Sequence, residues 1–358
     1  MTLILSAKMI NDKNQKGGDY STNLQAESIV VNQGISYSDA KEIALDVYKA
    51  NFLKLSQSAA ELARSRAEEL TDDFLKKLKA EKEDAINEIG NPGMQSAIYE
   101  AQKLFAKTGD KDLESLLVDI LVERAITTER NIQQIVLDEA LIVAGKLTTE
   151  QIDILTLNFL IVDTQKHYVK NLKSFIEYIN DEIIPFTNEL SETSSLYRHL
   201  EYTGCISIME ASAVKPVEEL FMNRYPALFS KGFSEERFKA DIGEPALFNK
   251  LIIRSFHSVN DLQLSCMNVK ALRDIAEEIN ISEGNINKLI ILFNSTLMSM
   301  AEIKEFLLDA LPPIKALFDL WDNSDITKFT LTTVGIAIAQ ANFRRRTGVK
   351  LNLNTWIK

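Results

Sequence analysis

Residues 40–78 read AKEIALDVYKANFLKLSQSAAELARSRAEELTDDFLKKL, and this stretch decides the fold class of the chain. Its apolar residues recur at the three- and four-residue spacing of one helical face, and charged residues occupy the opposite face. The apolar stripe comprises Ala40, Ile43, Ala44, Val47, Phe52, Leu55, Ala59, Leu62, Ala63, Leu70, Phe74 and Leu78. The pattern predicts a single helix of about ten turns, which must pair with another helix in the same chain or in a second copy.

Residues suited to begin a helix recur at short intervals between positions 90 and 151. Candidate N-caps are Asn91, Asp110 and Thr148, and another helix is expected from about Thr128 to Gly145. Gln151 follows Thr148 by three residues, which is the capping-box pattern. Tandem amphipathic helices with short connections are typical of bundles. We therefore expect an all-α fold, mostly a helical bundle or array, with a short N-terminal β segment.

That β segment is the one stretch whose pattern predicts strand. We expect residues 1–18 to be a mobile lead and residues 19–34 to hold one or two short strands, because apolar and polar residues alternate there. Strands this short are unstable alone. They must pair with copies of themselves or add to a sheet of the same subunit. The first alternative makes the segment an oligomerisation element formed by Leu24, Ala26, Ile29 and Val31.

The length of 358 residues exceeds the size at which a single hydrophobic core stops growing, about 250–300 residues. A polar stretch at residues 189–195 is the best candidate for a boundary. We therefore expect a helical domain over residues 35–190 and a second helical domain over residues 191–358.

Composition narrows the functional classes. A net charge of -11 argues against a broad nucleic-acid interface, which needs a concentrated basic face. Cys205 and Cys266 are too few for a disulfide framework or a metal set and are expected to be small buried hydrophobes. The sequence offers no convincing signal peptide and no apolar run of about 18–20 residues that would span a membrane. We therefore expect a soluble, cytoplasmic protein.

The one dense basic cluster consists of Arg344, Arg345, Arg346 and Lys350. Cations at the C-terminus of a helix complement the helix dipole and its unpaired carbonyls, and this is the interpretation we favour. The alternative is contact with an anionic membrane surface, with the apolar helix at residues 334–341 lying in the interface.

Residues 271–290 have the apolar spacing of a helix-turn-helix, with Asn280 where a left-handed residue is needed. The second helix would open with Glu283 and carry Lys288 as its only cation, which disfavours contact with phosphates. We therefore expect a structural unit in which Ile275, Ile279, Ile286 and Leu289 are buried. DNA binding is the alternative.

Catalytic and metal-binding patterns are missing from the sequence. His167, His199 and His257 lie far apart, and no His or Cys stands at a zinc-ligand interval. There is also no phosphate-binding loop, dinucleotide fingerprint or nucleophile elbow. We therefore expect a non-enzymatic protein that needs no metal or organic cofactor.

Several phrases resemble a family of uncharacterised bacterial proteins: residues 17–26 (GGDYSTNLQA), 33–37 (QGISY), 44–52 (ALDVYKANF), 91–95 (NPGMQ) and 147–151 (LTTEQ). The resemblance implies no activity and no catalytic residue. Residues 331–339 are also similar to a segment of the bacterial abortive-infection alpha proteins, and this similarity implies a role in phage defence or mobile-element biology.

The sequence thus favours a self-associating protein that acts through protein–protein contacts and forms a homo-oligomer. The alternatives are a nucleic-acid-binding regulator that uses residues 271–290, and a membrane-perturbing effector that uses the basic cluster.

Overall fold

The computed structural model describes residues 34–51, 56–188, 190–209 and 214–358, and these residues are mostly helical. The first helices are α1 Tyr37–Asn51, α2 Gln57–Lys82, α3 Pro92–Thr108, α4 Lys111–Ile126, α5 Ile132–Ala144, α6 Thr149–Asn158, α7 Leu172–Tyr178 and α8 Ser194–Tyr202. The later helices are α9 Val217–Arg224, α10 Glu235–Asp241, α11 Pro245–Leu251, α12 Val269–Glu278, α13 Glu283–Ser295, α14 Met300–Ala310, α15 Lys315–Asn323 and α16 Thr333–Thr347. The predicted mostly α-helical fold class is confirmed.

Short strands accompany these helices in the described residues: β1 Ile206–Ile208, β2 Ile252–Arg254, β3 Leu262–Leu264 and β4 Phe329–Leu331. β1 pairs antiparallel with β4, and β2 pairs antiparallel with β3. The prediction that only residues 19–34 form strands is therefore wrong. Three residues are too few to display a two-residue period. Residues 19–33 and their predicted strands lie outside the described residues.

The single long helix predicted over residues 40–78 is also wrong. The chain is extended at Ser56, with ψ 155°, and α1 folds back to pack against α2 and α3. Lys41 Nζ lies 2.7 Å from an Asp72 carboxylate oxygen, and the Gln102 amide donates to the Ala44 carbonyl at 3.3 Å. Folding back buries part of the apolar stripe, such as Ala44, within one chain, a possibility that periodicity alone does not reveal.

The predicted helix starts agree closely with the structure. Asn91, Asp110 and Thr148 cap α3, α4 and α6, and the Thr148 capping box with Gln151 is formed on both sides. The helix expected from about residue 128 begins instead at Ile132. Capping depends on side chains within three residues of the helix start, which explains why it was predictable.

The C-terminal helix α16 packs against helices from the first half of the chain, namely α4, α5 and α6. Ile338 and Phe343 are completely buried in this contact. A side chain at Gly335 would place its Cβ 2.1 Å from the Cys205 carbonyl oxygen, so only glycine permits this approach.

The main hydrophobic core therefore extends from Ala40 to Ile357 and crosses the boundary predicted near residue 190. A second, smaller core lies within residues 227–293. The division into domains 35–190 and 191–358 stays a prediction about independent folding.

The smaller core is formed mostly by residues 230–297. We call this segment of the chain the insert. It contains α10 to α13 and the β2–β3 pair. Its two ends are adjacent, because Ser230 and Leu297 form an antiparallel bridge and the Ser230 and Thr296 hydroxyls are 2.9 Å apart. Adjacent ends are typical of a unit inserted into another domain.

A fragment ending at residue 190 should not melt cooperatively, because it lacks α16 and exposes the surfaces of α4, α5 and α6 that α16 covers. Circular dichroism during heating measures this. The control replaces residues 231–297 with a Gly-Ser linker and should retain a cooperative transition. A sharp transition in the fragment ending at residue 190 would show that the predicted first domain folds independently.

Glu114 on α4 is a buried carboxyl group in acidic surroundings. Its Oε1 has no hydrogen-bond partner among the described residues. Burial raises the pKa of Glu114 above its usual value of 4.5, and the charges of Asp73 and Glu69 raise it further against the opposing effect of Lys111. The folded state therefore binds the Glu114 proton more tightly than the unfolded state does, and this group's contribution to stability improves as pH falls.

Glu114→Gln should raise the free energy of unfolding by about 1 kcal/mol at pH 8, since it removes an unpaired buried charge. The gain should shrink as pH falls through the raised pKa of Glu114 towards the usual value of 4.5, because Glu114 in the folded protein is then itself protonated. Urea denaturation across this range measures both effects, with the exposed Glu278→Gln as control. A gain that grows at low pH would contradict this explanation.

Candidate functional site

The predicted basic cluster lies at the last turn of α16, and Arg344 is its buried member, with 9% of its side chain exposed. Its guanidinium contacts Glu81 on α2 and lies 3.4 Å from Asp119 and 3.6 Å from Glu123, both on α4. Gly348, in the left-handed conformation, caps the helix behind it. Arg344 therefore joins three helices distant in sequence.

Two lysines complete this cluster. Lys77 Nζ lies 2.7 Å from Asp119, and Lys350 Nζ lies 3.3 Å from Glu81 and 3.6 Å from Glu123. We call the six residues the Arg344 network: Lys77, Glu81, Asp119, Glu123, Arg344 and Lys350. Its three cations and three carboxylates balance in formal charge, which is the arrangement that makes buried charge tolerable.

Opposing effects act on the carboxyl groups of the Arg344 network. Burial alone would raise the pKa of Glu81, but the hydrogen bond and charge of Arg344, with the charge of Lys350, hold it below its usual value. At Asp119 burial dominates and raises the pKa, although Lys77 and Arg344 oppose the rise. Arg344 is thus the group on which the ionised state of Glu81 depends most.

The other two arginines also bind side chains of the same chain. Arg345 contacts Asp112 and donates to the Asn342 amide oxygen at 3.0 Å. Arg346 donates to Asp153 at 2.7 Å and lies over the Phe186 ring at 4.7 Å. Both line a polar cleft of about 520 Å³ together with Asp112, Thr149, Glu150, Asp153 and Asn188. In this fold the cleft arginines already have carboxylate partners.

The location at a helix C-terminus agrees with the favoured interpretation of the basic cluster. The carboxylate partners were not predictable, since Arg344 and Glu81 are 263 positions apart. The membrane alternative requires residues 334–341 to face a lipid surface, whereas Ala337 to Ala341 are buried in the core. Of the described helices, none is both long and apolar enough to cross a membrane.

The helix-turn-helix region forms α12 and α13, and Asn280 has a left-handed backbone with φ 58°, as predicted. Ile286 and Leu289 are buried as predicted, but Ile275 and Ile279 are only half-buried. Glu283, at the start of α13, forms an ion pair at 3.3 Å with Arg273 of α12. This pair neutralises a cation that DNA contact would use.

The cysteines and histidines occupy separate positions in the described part of the chain. Cys205 and Cys266 are buried, as predicted, and burial raises the pKa of the Cys266 thiol to about 11. His199 contacts the Gln151 side chain, and His257 Nε2 lies 2.6 Å from the Leu228 carbonyl oxygen. Within the described ranges, no group of three or more His, Cys, Asp or Glu residues is arranged to hold a metal ion.

A different surface feature was not predicted. On α5 the side chains of Ile132, Ile135 and Ile142 are 46%, 44% and 40% exposed, respectively. They lie with the exposed Glu139 on one face at spacings of three and four residues. The other faces of α5 pack against α3, α4 and α16. We call these four residues the α5 ridge.

The sequence does contain a signal for the α5 ridge, because α5 is apolar on more of its circumference than one buried face requires. Such a helix is usually buried on all sides. Only the structure shows that the described residues leave one side of α5 partly exposed. A row of exposed isoleucines on one helix is typical of a contact surface for another protein.

In its described residues the chain is a mostly α-helical protein in which a buried charge network joins α2, α4 and α16 and α5 carries an exposed apolar ridge. A protein-family model matches residues 34–357, and the chain belongs to that family, which is an uncharacterised one. The match begins after residues 17–26, so this part of the resemblance lies outside it. No curated protein and no solved structure matches the chain.

Arg344→Ala should lower the free energy of unfolding by about 3–5 kcal/mol, because it leaves Glu81 and Asp119 as buried charges without their arginine. Urea denaturation measures the loss. Arg64→Ala is the matched control, since Arg64 forms an exposed pair with Glu68 on α2 and should cost at most about 1 kcal/mol. Equal losses in the two variants would contradict the role assigned to Arg344.

Proposed function

We propose that this chain is a non-enzymatic protein that self-associates in the bacterial cytoplasm and acts through protein–protein contacts. The α5 ridge is the observation that carries the proposal. A second copy of the chain is its proposed occupant, and the assembly is a homo-oligomer.

Two features of the α5 ridge support this proposal. Three isoleucines are exposed on one face of α5, with Glu139 between the second and the third, whereas isolated exposed apolar residues are ordinary. The helix that carries them is held on its other faces by α3, α4 and α16, so the row is presented on a rigid support. A rigid support lowers the entropy cost of forming an interface.

Phage defence or mobile-element biology is the proposed setting. Its support is the resemblance of residues 331–339 to the abortive-infection alpha proteins. In this chain those residues comprise the end of β4 and the first half of α16. The buried residues of this segment contribute to the core. The resemblance is therefore a similarity of core residues and does not identify a binding surface.

Ile135→Glu should lower the average mass in sedimentation, because a charge buried in an apolar contact is costly. Ile291→Glu is the matched control: Ile291 lies on α13, is 70% exposed, and belongs to a different helix from the α5 ridge. This variant should sediment like the unaltered protein. Thermal melting of both variants verifies that they are folded.

The same measurement at two salt concentrations, with and without duplex DNA, separates the alternatives. Self-association through an apolar ridge should persist at high salt, and the average mass should not change when DNA is added. A monomeric unaltered protein would overturn the proposal. A mass increase that appears only with DNA and disappears at high salt would favour the nucleic-acid-binding alternative.

A further inference from the structure

The polar cleft beside the basic cluster has the size of a site for a small molecule. Its volume of about 520 Å³ lies within the range of roughly 300–1,000 Å³ that is common for such sites. It lies where the starts of α4 and α6 meet the end of α16, which contribute Asp112, Thr149 and Arg345, respectively. All the described side chains that line the cleft are polar or charged. These side chain types limit the class of ligand that the cleft can bind.

Arg345 has a fixed orientation at the wall of the cleft. Its Nε and Nη2 both donate to the Asn342 amide oxygen, at 3.3 and 3.0 Å. Asn342 is completely buried, and its own amide donates to Asp153 and Thr156, each at 2.8 Å. Because Asn342 is neutral, it orients the guanidinium without cancelling its charge. A guanidinium in a fixed orientation is suited to bidentate recognition of a phosphate or carboxylate.

Arg346 is oriented by different partners. Its guanidinium lies over the Phe186 ring at 4.7 Å, and its Nη2 donates to the Pro185 carbonyl at 2.6 Å. Its Nη1 donates to Asp153 at 2.7 Å. The other N–H groups of this guanidinium have no partner among the described residues, so they can donate to a ligand. Two oriented arginines, consecutive in the chain, therefore line the same cleft.

The two carboxylates that pair with these arginines are held to very different degrees. Asp153 is 10% exposed, and its two oxygens accept from Asn342 and Arg346. Asp112 is 65% exposed in its pair with Arg345. An ion pair with so exposed a member contributes little to stability. An anionic ligand can therefore take the place of the Asp112 carboxylate on Arg345 and leave Asp153 where it is.

The start of α6 also favours an anion in this cleft. The helix is ten residues long, and its first residues, Thr149 and Glu150, line the cleft. The backbone N–H groups of a first turn have no partner within the helix, and the positive end of the helix dipole lies there. Two guanidiniums and a helix N-terminus together suit a phosphate group, which offers three oxygens that accept hydrogen bonds.

The rest of the cleft suits hydroxyl groups. Glu150 accepts from the Ser191 amide with one carboxylate oxygen, and its other oxygen can accept from a ligand. Asn188 and Thr149 add an amide and a hydroxyl to the lining, and both are exposed. An aromatic base or an acyl chain would find no apolar side chain among the lining residues and would leave these polar groups unpaired. A phosphorylated polyol satisfies both parts of the cleft.

We propose that the cleft binds a sugar phosphate. The phosphate lies between Arg345 and Arg346 in the place of the Asp112 carboxylate, and the sugar hydroxyls lie towards Glu150 and Asn188. This site goes beyond the proposed function and does not depend on self-association, because the α5 ridge is formed by other residues. A monomeric protein would overturn the proposed function and leave the sugar phosphate site standing.

Isothermal titration calorimetry on the full-length chain tests the proposal. The probes are glucose 6-phosphate and ribose 5-phosphate, each compared with inorganic phosphate and with the unphosphorylated sugar. We expect at least one of the two sugar phosphates to bind roughly tenfold or more tightly than either of its parts. The absence of binding by both at millimolar concentration would overturn the proposal. Equal affinities for inorganic phosphate and for the sugar phosphates would overturn the assignment to sugar phosphates.

Two variants test the place of the phosphate. Arg345→Gln should weaken binding of the sugar phosphate by roughly tenfold or more, because it removes a charged donor. Asp112→Asn should strengthen binding severalfold, because it removes the carboxylate that competes for Arg345. A merely structural role of the pair between Arg345 and Asp112 predicts no such gain.

Arg64→Gln is the matched control, since Arg64 forms an exposed pair with Glu68 outside the cleft, and its affinity should equal that of the unaltered protein. Thermal melting verifies that each variant is folded. If Arg345→Gln does not fold, Asp112→Asn decides alone. An affinity of Asp112→Asn that is unchanged or lower would contradict the displacement of Asp112 and overturn the proposal.

Discussion

The structure depends on how one buried guanidinium is neutralised. Arg344 lies at the end of α16 with little access to water. Burial of an unpaired charge costs more free energy than most single contacts contribute to stability. Glu81 of α2 and the two carboxylates of α4 provide the compensation. The place of the last long helix therefore depends on α2 and α4 lying together in the folded chain.

This constraint connects the fold to the α5 ridge. α5 lies against α4 and α16, the two helices that Arg344 joins, so the Arg344 network holds both sides of the helix that carries the isoleucines. The exposed row of isoleucines therefore depends on how α4 and α16 pack against α5, and not on the sequence pattern of α5 alone. The insert does not share this dependence on Arg344 to the same degree, because it has a smaller core of its own and adjacent ends.

Local features of the fold were predictable and distant ones were not. The caps at Asn91, Asp110 and Thr148 depend on residues within three positions, and each was found where its sequence signal stands. The end of α1 at Asn51 and the start of α2 at Gln57 interrupt a stripe that continues in phase in the sequence, and strands of three residues are too short to show a period. The carboxylates of the Arg344 network lie more than 200 positions before Arg344. Prediction of the α5 ridge would have required knowledge of which side of an apolar helix stays partly exposed in the fold.

We propose that a second copy of the chain covers the α5 ridge. Oxidative footprinting of side chains across a range of protein concentrations tests it most directly, because it measures how accessible each isoleucine is. We expect Ile132, Ile135 and Ile142 to become less reactive as the average mass rises, while the reactivity of Ile291 on α13 stays unchanged. Isoleucines of the α5 ridge that keep their full reactivity while the mass rises would contradict it.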